Sequence, residues 1–231
     1  MTKTRKIIND PVFGFLSIPD GVLFQILQHP YMQRLNRIRQ LGLSFFVYPG
    51  AMHSRFLHSL GAMHLMHEAL TSLREKGVEI SETEATAAMA AILLHDVGHG
   101  PFSHVFEEAG MLPTGMSHED ISLMMMEEIR DSFQTVKANE VHNGQEIMNL
   151  AIAIFKDEYH KHFLHQLISS QLDVDRLDYL CRDSFFCGVT EGSVASARIL
   201  KMMNVQDGRL VVEAKGIYSV EKFLVARQLM Y

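Results

Sequence analysis

The chain has 231 residues, 47% of them hydrophobic and 21% charged, with a net charge of −6. That balance excludes a disordered chain, and the lack of a basic surplus argues against a partner that is a nucleic-acid polymer. The longest apolar run, Ala87 to Leu94, is too short to span a bilayer, and no secretory core follows the basic first residues, so no membrane partner is expected.

Two cysteines, Cys181 and Cys187, lack a metal-type spacing and read as free thiols in a reducing, cytoplasmic setting. Thirteen histidines are unusual, and several stand beside acidic residues. A small phosphate substrate is compatible with the negative net charge, because a bound cation supplies positive charge locally.

In chain order, Lys6 to Ile18 reads as two short extended pieces around a turn at Asn9-Asp10-Pro11. Pro19-Asp20 opens a short helix with Leu23, Ile26 and Leu27 on its apolar face. Pro30 suits the first turn of the next helix, where Arg34, Arg37 and Arg39 recur at near-helical spacing. Gly42 to Gly50 is aromatic and expected to be extended. His53 to Lys76 has a helical pattern, stopped by Gly77. Ser81-Glu82-Thr83-Glu84 forms a capping box ahead of an alanine-rich helix that reaches about His95. Gly98, Gly100 and Pro101 break it. Ser117 caps a helix with Ile121, Leu123, Met124 and Met125 on its buried side, the methionines reading as core filler. Gln145 to Phe155 and His160 to about Arg182 are two further helices. Val205 to Val212 is a hairpin on an Asp207-Gly208 turn, and the segment from Ile217 is helical again. The class is mainly α with small β pieces.

Three clusters carry chemistry. The first is Leu94-His95-Asp96-Val97-Gly98-His99-Gly100-Pro101-Phe102-Ser103-His104. An imidazole beside a carboxylate at the polar end of a very apolar helix is costly to bury unpaired. A shared divalent cation accounts for both groups. The plainer alternative is a polar helix end. His95 and His99, four apart, could share a helix face, and the glycines let the backbone turn and leave room for a substrate.

The second cluster is Ser54-Arg55-Phe56-Leu57-His58-Ser59-Leu60-Gly61. His58 alone is equally a core histidine or a ligand. Arg55, three residues earlier, can face the same pocket and suits a phosphate oxygen or a surface ion pair. The third runs from Gln171 to Asp183. Asp175, Tyr179 and Arg182 follow one helix face, with Asp178 and Asp183 elsewhere on the circle. A solvated, salt-bridged face is the alternative there.

His58, then His95-Asp96, then Asp175 match the H…HD…D order of the HD-domain metal-dependent phosphohydrolases, which the chain resembles. Within that superfamily it is most similar to the deoxynucleoside triphosphate triphosphohydrolases. Ile7-Ile-Asn-Asp-Pro, Gln33-Arg-Leu, Gln40-Leu-Gly, Pro49-Gly-Ala, His58-Ser-Leu-Gly, Ser117-His-Glu and Asp173-Val-Asp-Arg-Leu-Asp-Tyr carry that likeness over residues 6–190.

The resemblance implies an HD-domain helical bundle, with small hairpins at the N-terminal end and near residues 203–213. It implies a divalent ion (Mn, Fe, Ni or Zn, with Mg as a second ion) on His58, His95, Asp96 and Asp175. His99, His104 and His118 would face the phosphates or move protons, and Glu107 would orient His118. Arg55 and Tyr179 would contact phosphates or sugar, and Gln40 the sugar. A nucleotide substrate and a homo-oligomer are implied as partners.

Residues 1–190 are expected to form this domain. Residues 191–231 read as a hairpin plus helix that begins a C-terminal region cut short at Tyr231, and little after Ser184 matches the triphosphohydrolases. The expected function is a (deoxy)nucleoside triphosphate triphosphohydrolase. A nucleotide monophosphatase or phosphodiesterase of the same superfamily, and a non-catalytic nucleotide-binding protein, are the alternatives.

Overall fold

A computed structural model describes residues 5–102, 105–106, 109–110, 115–133 and 144–231. Strands β1 (Arg5–Asp10) and β2 (Gly14–Pro19) pair antiparallel, with Ile8 opposite Leu16. The Asp10 carboxylate closes the turn between them by accepting the N–H groups of Val12 and Phe13 at 2.9 Å.

Helices α1 (Val22–Gln28) and α2 (Pro30–Arg34) follow, burying Leu23, Ile26, Leu27 and Met32. The second is shorter than the arginine spacing suggests. A 3-10 turn at Leu35–Arg37 ends it, Ile38 is extended, and Arg39 sits in an isolated bridge to Ser54. Gly42 to Gly50 is not extended. Among the described residues no strand offers it a ladder, and it folds on a 3-10 turn at Ser44–Phe46, with Phe45 against Phe46 and Arg39 over the Phe45 ring at 4.0 Å.

Two long antiparallel helices organise the rest. Helix α3 (Arg55–Glu75) starts at Ser54, whose Oγ accepts the Leu57 N–H, and ends before Gly77 at φ +86°. Helix α4 (Glu82–Leu94) starts at the expected capping box, closed by Ser81 and Glu84. Its alanines, Ile92, Leu93 and Leu94 are nearly all fully buried, as a helix apolar on every side must be. It lies between α3 and α6 (Gly144–Phe155), and α8 (Val174–Cys187) packs on the other side of α3.

Helix α5 (His118–Ser132) begins at a capping box of Ser117 and Asp120. Its fully buried residues are Ser122, Met126 and Ile129; Leu123 and Met125 pack half-buried against the core as expected, whereas Met124 is exposed. The stretch from His160 is two helices, α7 (His162–Ile168) and α8. Asp173 separates them: its carboxylate accepts the Ser170 and Arg176 N–H groups, both at 2.8 Å, and restarts the helix.

Beyond Gly188 come α9 (Ser196–Met202), the β3–β4 hairpin (Met203–Gln206 and Arg209–Val212) and α10 (Ile217–Met230). Asp207 and Gly208 both take positive φ, as a two-residue turn requires. Lys76, just past α3, donates to the carbonyls of Lys201 and Met203 and to Glu213, tying this segment to the bundle. Cys181 and Cys187 are free thiols. Among the described residues, no helix is long and apolar enough to cross a membrane.

Candidate metal centre and adjoining cavity

Caps decide where the polar groups sit. Ser54 fixes the start of α3, so Arg55 and His58 fall in its first turns. Helix α4 ends at Leu94, and His95 is its C-cap. His95 and His99 therefore do not share a helix face. A turn follows instead, held by hydrogen bonds from Val97 to Leu94 and from His99 to Asp96. Asp173 fixes the start of α8, placing Asp175, Asp178 and Arg182 on successive turns.

These elements bring His58, His95, Asp96 and Asp175 together. His58 Nε2 lies 3.3 Å from His95 Nε2, 3.0 Å from Asp175 Oδ1 and 3.9 Å from Asp96 Oδ2. His95 Nε2 is 3.4 Å from both Asp96 Oδ1 and Asp175 Oδ1. Ligand atoms of His58, His95 and Asp96 all fall within 4.8 Å of one another, a spacing one ion can bridge.

The donor chemistry fits a cation. His58 Nδ1 faces the Asp178 carboxylate at 2.7 Å, and His95 Nδ1 faces the Ile92 carbonyl at 2.6 Å. Each partner only accepts, so each Nδ1 carries the proton. In the neutral rings both Nε2 atoms then present lone pairs, and they point at each other and at carboxylate oxygens. Charge agrees with this. Asp96 and Asp175 here, with Asp178 and Asp10 behind them, are four carboxylates, and Arg55 and Arg182 are the guanidinium groups bound to them. With both imidazoles neutral, two negative charges remain, the amount one divalent cation neutralises; without an ion, a proton on His58 offsets one of them.

Burial would lower the His58 pKa, but Asp175 and Asp178 outweigh it and push it up to about 10. Burial would likewise raise Asp96 and Asp175. The surrounding histidines, helped at Asp96 by Arg55, hold both carboxyls well below the usual range. His99 behaves differently. Burial pushes it down to about 4, despite Asp96 Oδ1 at 3.4 Å from its Nε2. The ring of His118, first residue of α5, stacks on it at 4.0 Å. His104 and Glu107 lie outside the described residues.

Arg55 joins this centre to a cavity of about 500 Å³, within the usual range for small-ligand sites. Its Nη1 donates to Asp96 Oδ2 at 2.5 Å, while the same side chain lines the cavity with Gln40, Phe102 and Tyr179. Gln40 Oε1 and Arg55 Nε are buried without a hydrogen-bond partner among the described residues, which is costly unless a ligand meets them. Burial pushes the Tyr179 phenol up to about 12, so it stays a donor near neutrality. Arg55, Gln40 and Tyr179 thus share one wall system.

Two expectations need correction. Asp178 and Arg182 are not part of a solvated face, because both are fully buried. Asp178 also stands beside His58, where the sequence reading had put it elsewhere on the circle. The signal was present: Asp178 is three residues after Asp175, a spacing that makes helix neighbours. Gly98 lies in the turn expected after the helix, with ordinary φ, and it also serves close packing. A Cβ there would lie 2.3 Å from the His118 carbonyl oxygen and 2.4 Å from the Ser122 nitrogen.

The chain is similar to a phosphohydrolase of Bacteroides thetaiotaomicron solved by crystallography, at 61% identity and a TM-score of 0.90, over 99% of this chain and 53% of that one. It is 33% identical over 227 residues to the uncharacterized protein YwfO of Bacillus subtilis, covering 98% of this chain and 51% of that protein. It is 33% identical over 214 residues to human deoxynucleoside triphosphate triphosphohydrolase SAMHD1, covering 80% of this chain and 34% of that protein. The chain therefore spans about half the length of such relatives or less. A family model of the HD associated region matches residues 194–231, a part the sequence reading could not relate to the triphosphohydrolases. The model of the HD domain matches residues 55–183, a span that begins at Arg55 and takes in His58, His95, Asp96 and Asp175, and the chain belongs to that family.

Proposed function

We propose that the chain is a metal-dependent phosphohydrolase that releases triphosphate from a (deoxy)nucleoside triphosphate. The observation that carries this is the continuity, through Arg55, between a cluster of acceptors suited to a divalent cation and a cavity of nucleotide size. The HD domain match and the triphosphohydrolase relatives support the same reading.

His58, His95, Asp96 and Asp175 would hold the ion. When bound, such an ion lowers the pKa of water toward neutrality and offsets charge on phosphoryl oxygens. Arg55 sits where it can hold Asp96 and meet a phosphate oxygen together, and a guanidinium suits both. Gln40 and Tyr179, which line the same cavity, would meet the sugar and the remaining phosphates. His99, kept neutral by burial, can accept a hydrogen bond beside Asp96. His118, stacked against it at the first turn of α5, is the proton-transfer residue, which fits its contact with a histidine that lies beside Asp96.

The test is turnover. The chain, reconstituted with Mn or Fe, is given each deoxynucleoside triphosphate and the products are separated by chromatography. Tripolyphosphate release that disappears in Asp96→Ala supports the proposal. Orthophosphate from nucleoside monophosphates, with triphosphates untouched, overturns the substrate assignment. Saturable nucleotide binding without turnover under any of these metals overturns catalysis.

A further inference from the structure

Behind His58 lies a line of buried charges that ends in the N-terminal hairpin. His58 Nδ1 donates to Asp178 Oδ2 at 2.7 Å. Arg182 grips the same carboxylate with two prongs, Nε to Oδ2 and Nη2 to Oδ1, each at 2.9 Å. Its third nitrogen, Nη1, donates to Asp10 Oδ2 at 2.8 Å. The other Asp10 oxygen accepts the N–H groups of Val12 and Phe13 in the β1–β2 turn. His58, Asp178, Arg182 and Asp10 are all at most 1% exposed.

Two features show that the fold makes room for this line. A Cβ on Gly61 would lie 1.9 Å from Asp178 Oδ1 and 2.2 Å from Arg182 Nη2, so α3 admits the pair only because it has no side chain there. The ring of Phe13, from the same turn as Asp10, lies 5.6 Å from the Arg182 guanidinium. Each member is thus fixed by the next. His58 cannot rotate without losing Asp178, Asp178 cannot move without breaking the fork to Arg182, and Arg182 is anchored by the hairpin.

The geometry points to Asp178 as the positioning residue for His58, steadied through Arg182 by Asp10, so that the N-terminal hairpin sets the metal affinity of a centre it does not touch. This rests on the metal reading above. Carboxylates behind a metal-bound imidazole fix its ring and raise its basicity. Here the carboxylate is itself shared with a guanidinium. With Asp10 lost, Arg182 leans on Asp178 alone, and Asp178 gives less of its charge to His58. The effect on affinity is therefore loss at either end, larger at Asp178.

The experiment titrates Mn2+ alone into the metal-free full chain by calorimetry, for wild type, Asp178→Asn and Asp10→Asn. Nitrogen-15 spectra of the histidine rings and thermal midpoints are recorded on the same samples. The expected result is a Kd weakened on the order of 10–100-fold in Asp178→Asn, a smaller weakening in Asp10→Asn, and a moved His58 Nδ1 resonance in both folded variants. A purely structural pair would lower the midpoint while leaving Kd and the resonance of the folded protein alone. That outcome overturns the proposal. If Asp178→Asn does not fold, Asp10→Asn decides, and a wild-type Kd with an unmoved resonance overturns it. A wild-type chain that binds no Mn2+ overturns the metal reading itself, whereas wild-type binding with unchanged variants overturns the positioning line alone.

Discussion

Helices α3 and α4 carry ionic groups at both ends, and the two ends are built on different terms. At the end near Leu94, carboxylates outnumber guanidinium groups, the groups are buried, and carboxylates face imidazoles. At the end near Glu82, ionic groups sit in opposite-charge pairs. Lys161 meets Glu84, which also accepts from Tyr159 and from the Ser81 N–H, and Lys76 meets Glu213. A matched end serves the fold and needs nothing else. The carboxylate surplus at the first end holds protons on its histidines, His58 above all, and a bound cation would take their place.

The comparison breaks first at Asp96. Asp96→Ala removes a ligand and the partner of Arg55, and the metal's several kcal/mol of charge stabilisation corresponds to a drop of about a thousandfold in turnover. Retained activity would show that the unmatched end is not the active centre. His118→Ala should lower turnover about a hundredfold with metal still bound, read as kcat with Mn2+ saturating and its Kd unchanged. An equal loss in metal affinity would make His118 part of the cluster instead.

Metal removal sharpens the contrast in stability. At a free ion concentration about a hundredfold above Kd, binding adds about 2.7 kcal/mol, and chelation should lower the thermal midpoint by about 5–10 °C for a chain of this size. Glu84→Gln should leave that metal-dependent difference intact.

The smallest effect concerns Glu84 itself. Burial would raise its pKa, but Lys161, the Ser81 N–H and Tyr159 bring it down to about 2 from an ordinary value of 4.5. The folded state therefore prefers the ionised form, and this stabilisation is full above about pH 4.5 and disappears as the pH falls through 2. The difference in unfolding free energy between wild type and Glu84→Gln should be about 1–3 kcal/mol near neutrality and should vanish at the acid end. A difference that persists below pH 2 would mean that the glutamate acts through packing instead.

What the sequence made legible was local. Ser81 with Glu84, Ser117 ahead of α5, Gly77 and the Asp207-Gly208 turn act within a few residues of themselves, and each stands where the pattern predicts. His95-Asp96 was legible because polar groups end an otherwise apolar helix. The bond from Arg182 to Asp10 spans 172 residues and the one from His58 to Asp178 spans 120, and neither partner carries a local mark of the other. The aromatic run from Gly42 misled because its residues suit a strand while no strand lies beside it. The helix from His160 misled because Asp173 is helix-compatible by spacing but captures two backbone N–H groups once folded.

Gly98 has a consequence of its own. The first turn of α5 rests directly on the backbone of the loop that carries His95 and Asp96, and Ser122 Oγ bridges the Gly98 N–H and the His95 carbonyl. The bare α-carbon works as a spacer gauge: the thickness of one methyl group is the distance by which α5 would have to retreat. In Gly98→Ala the residues proposed to hold the ion are unchanged while the first turn of α5, and His118 with it, should be displaced, so on the proposed roles a single carbon atom would separate holding an ion from using it.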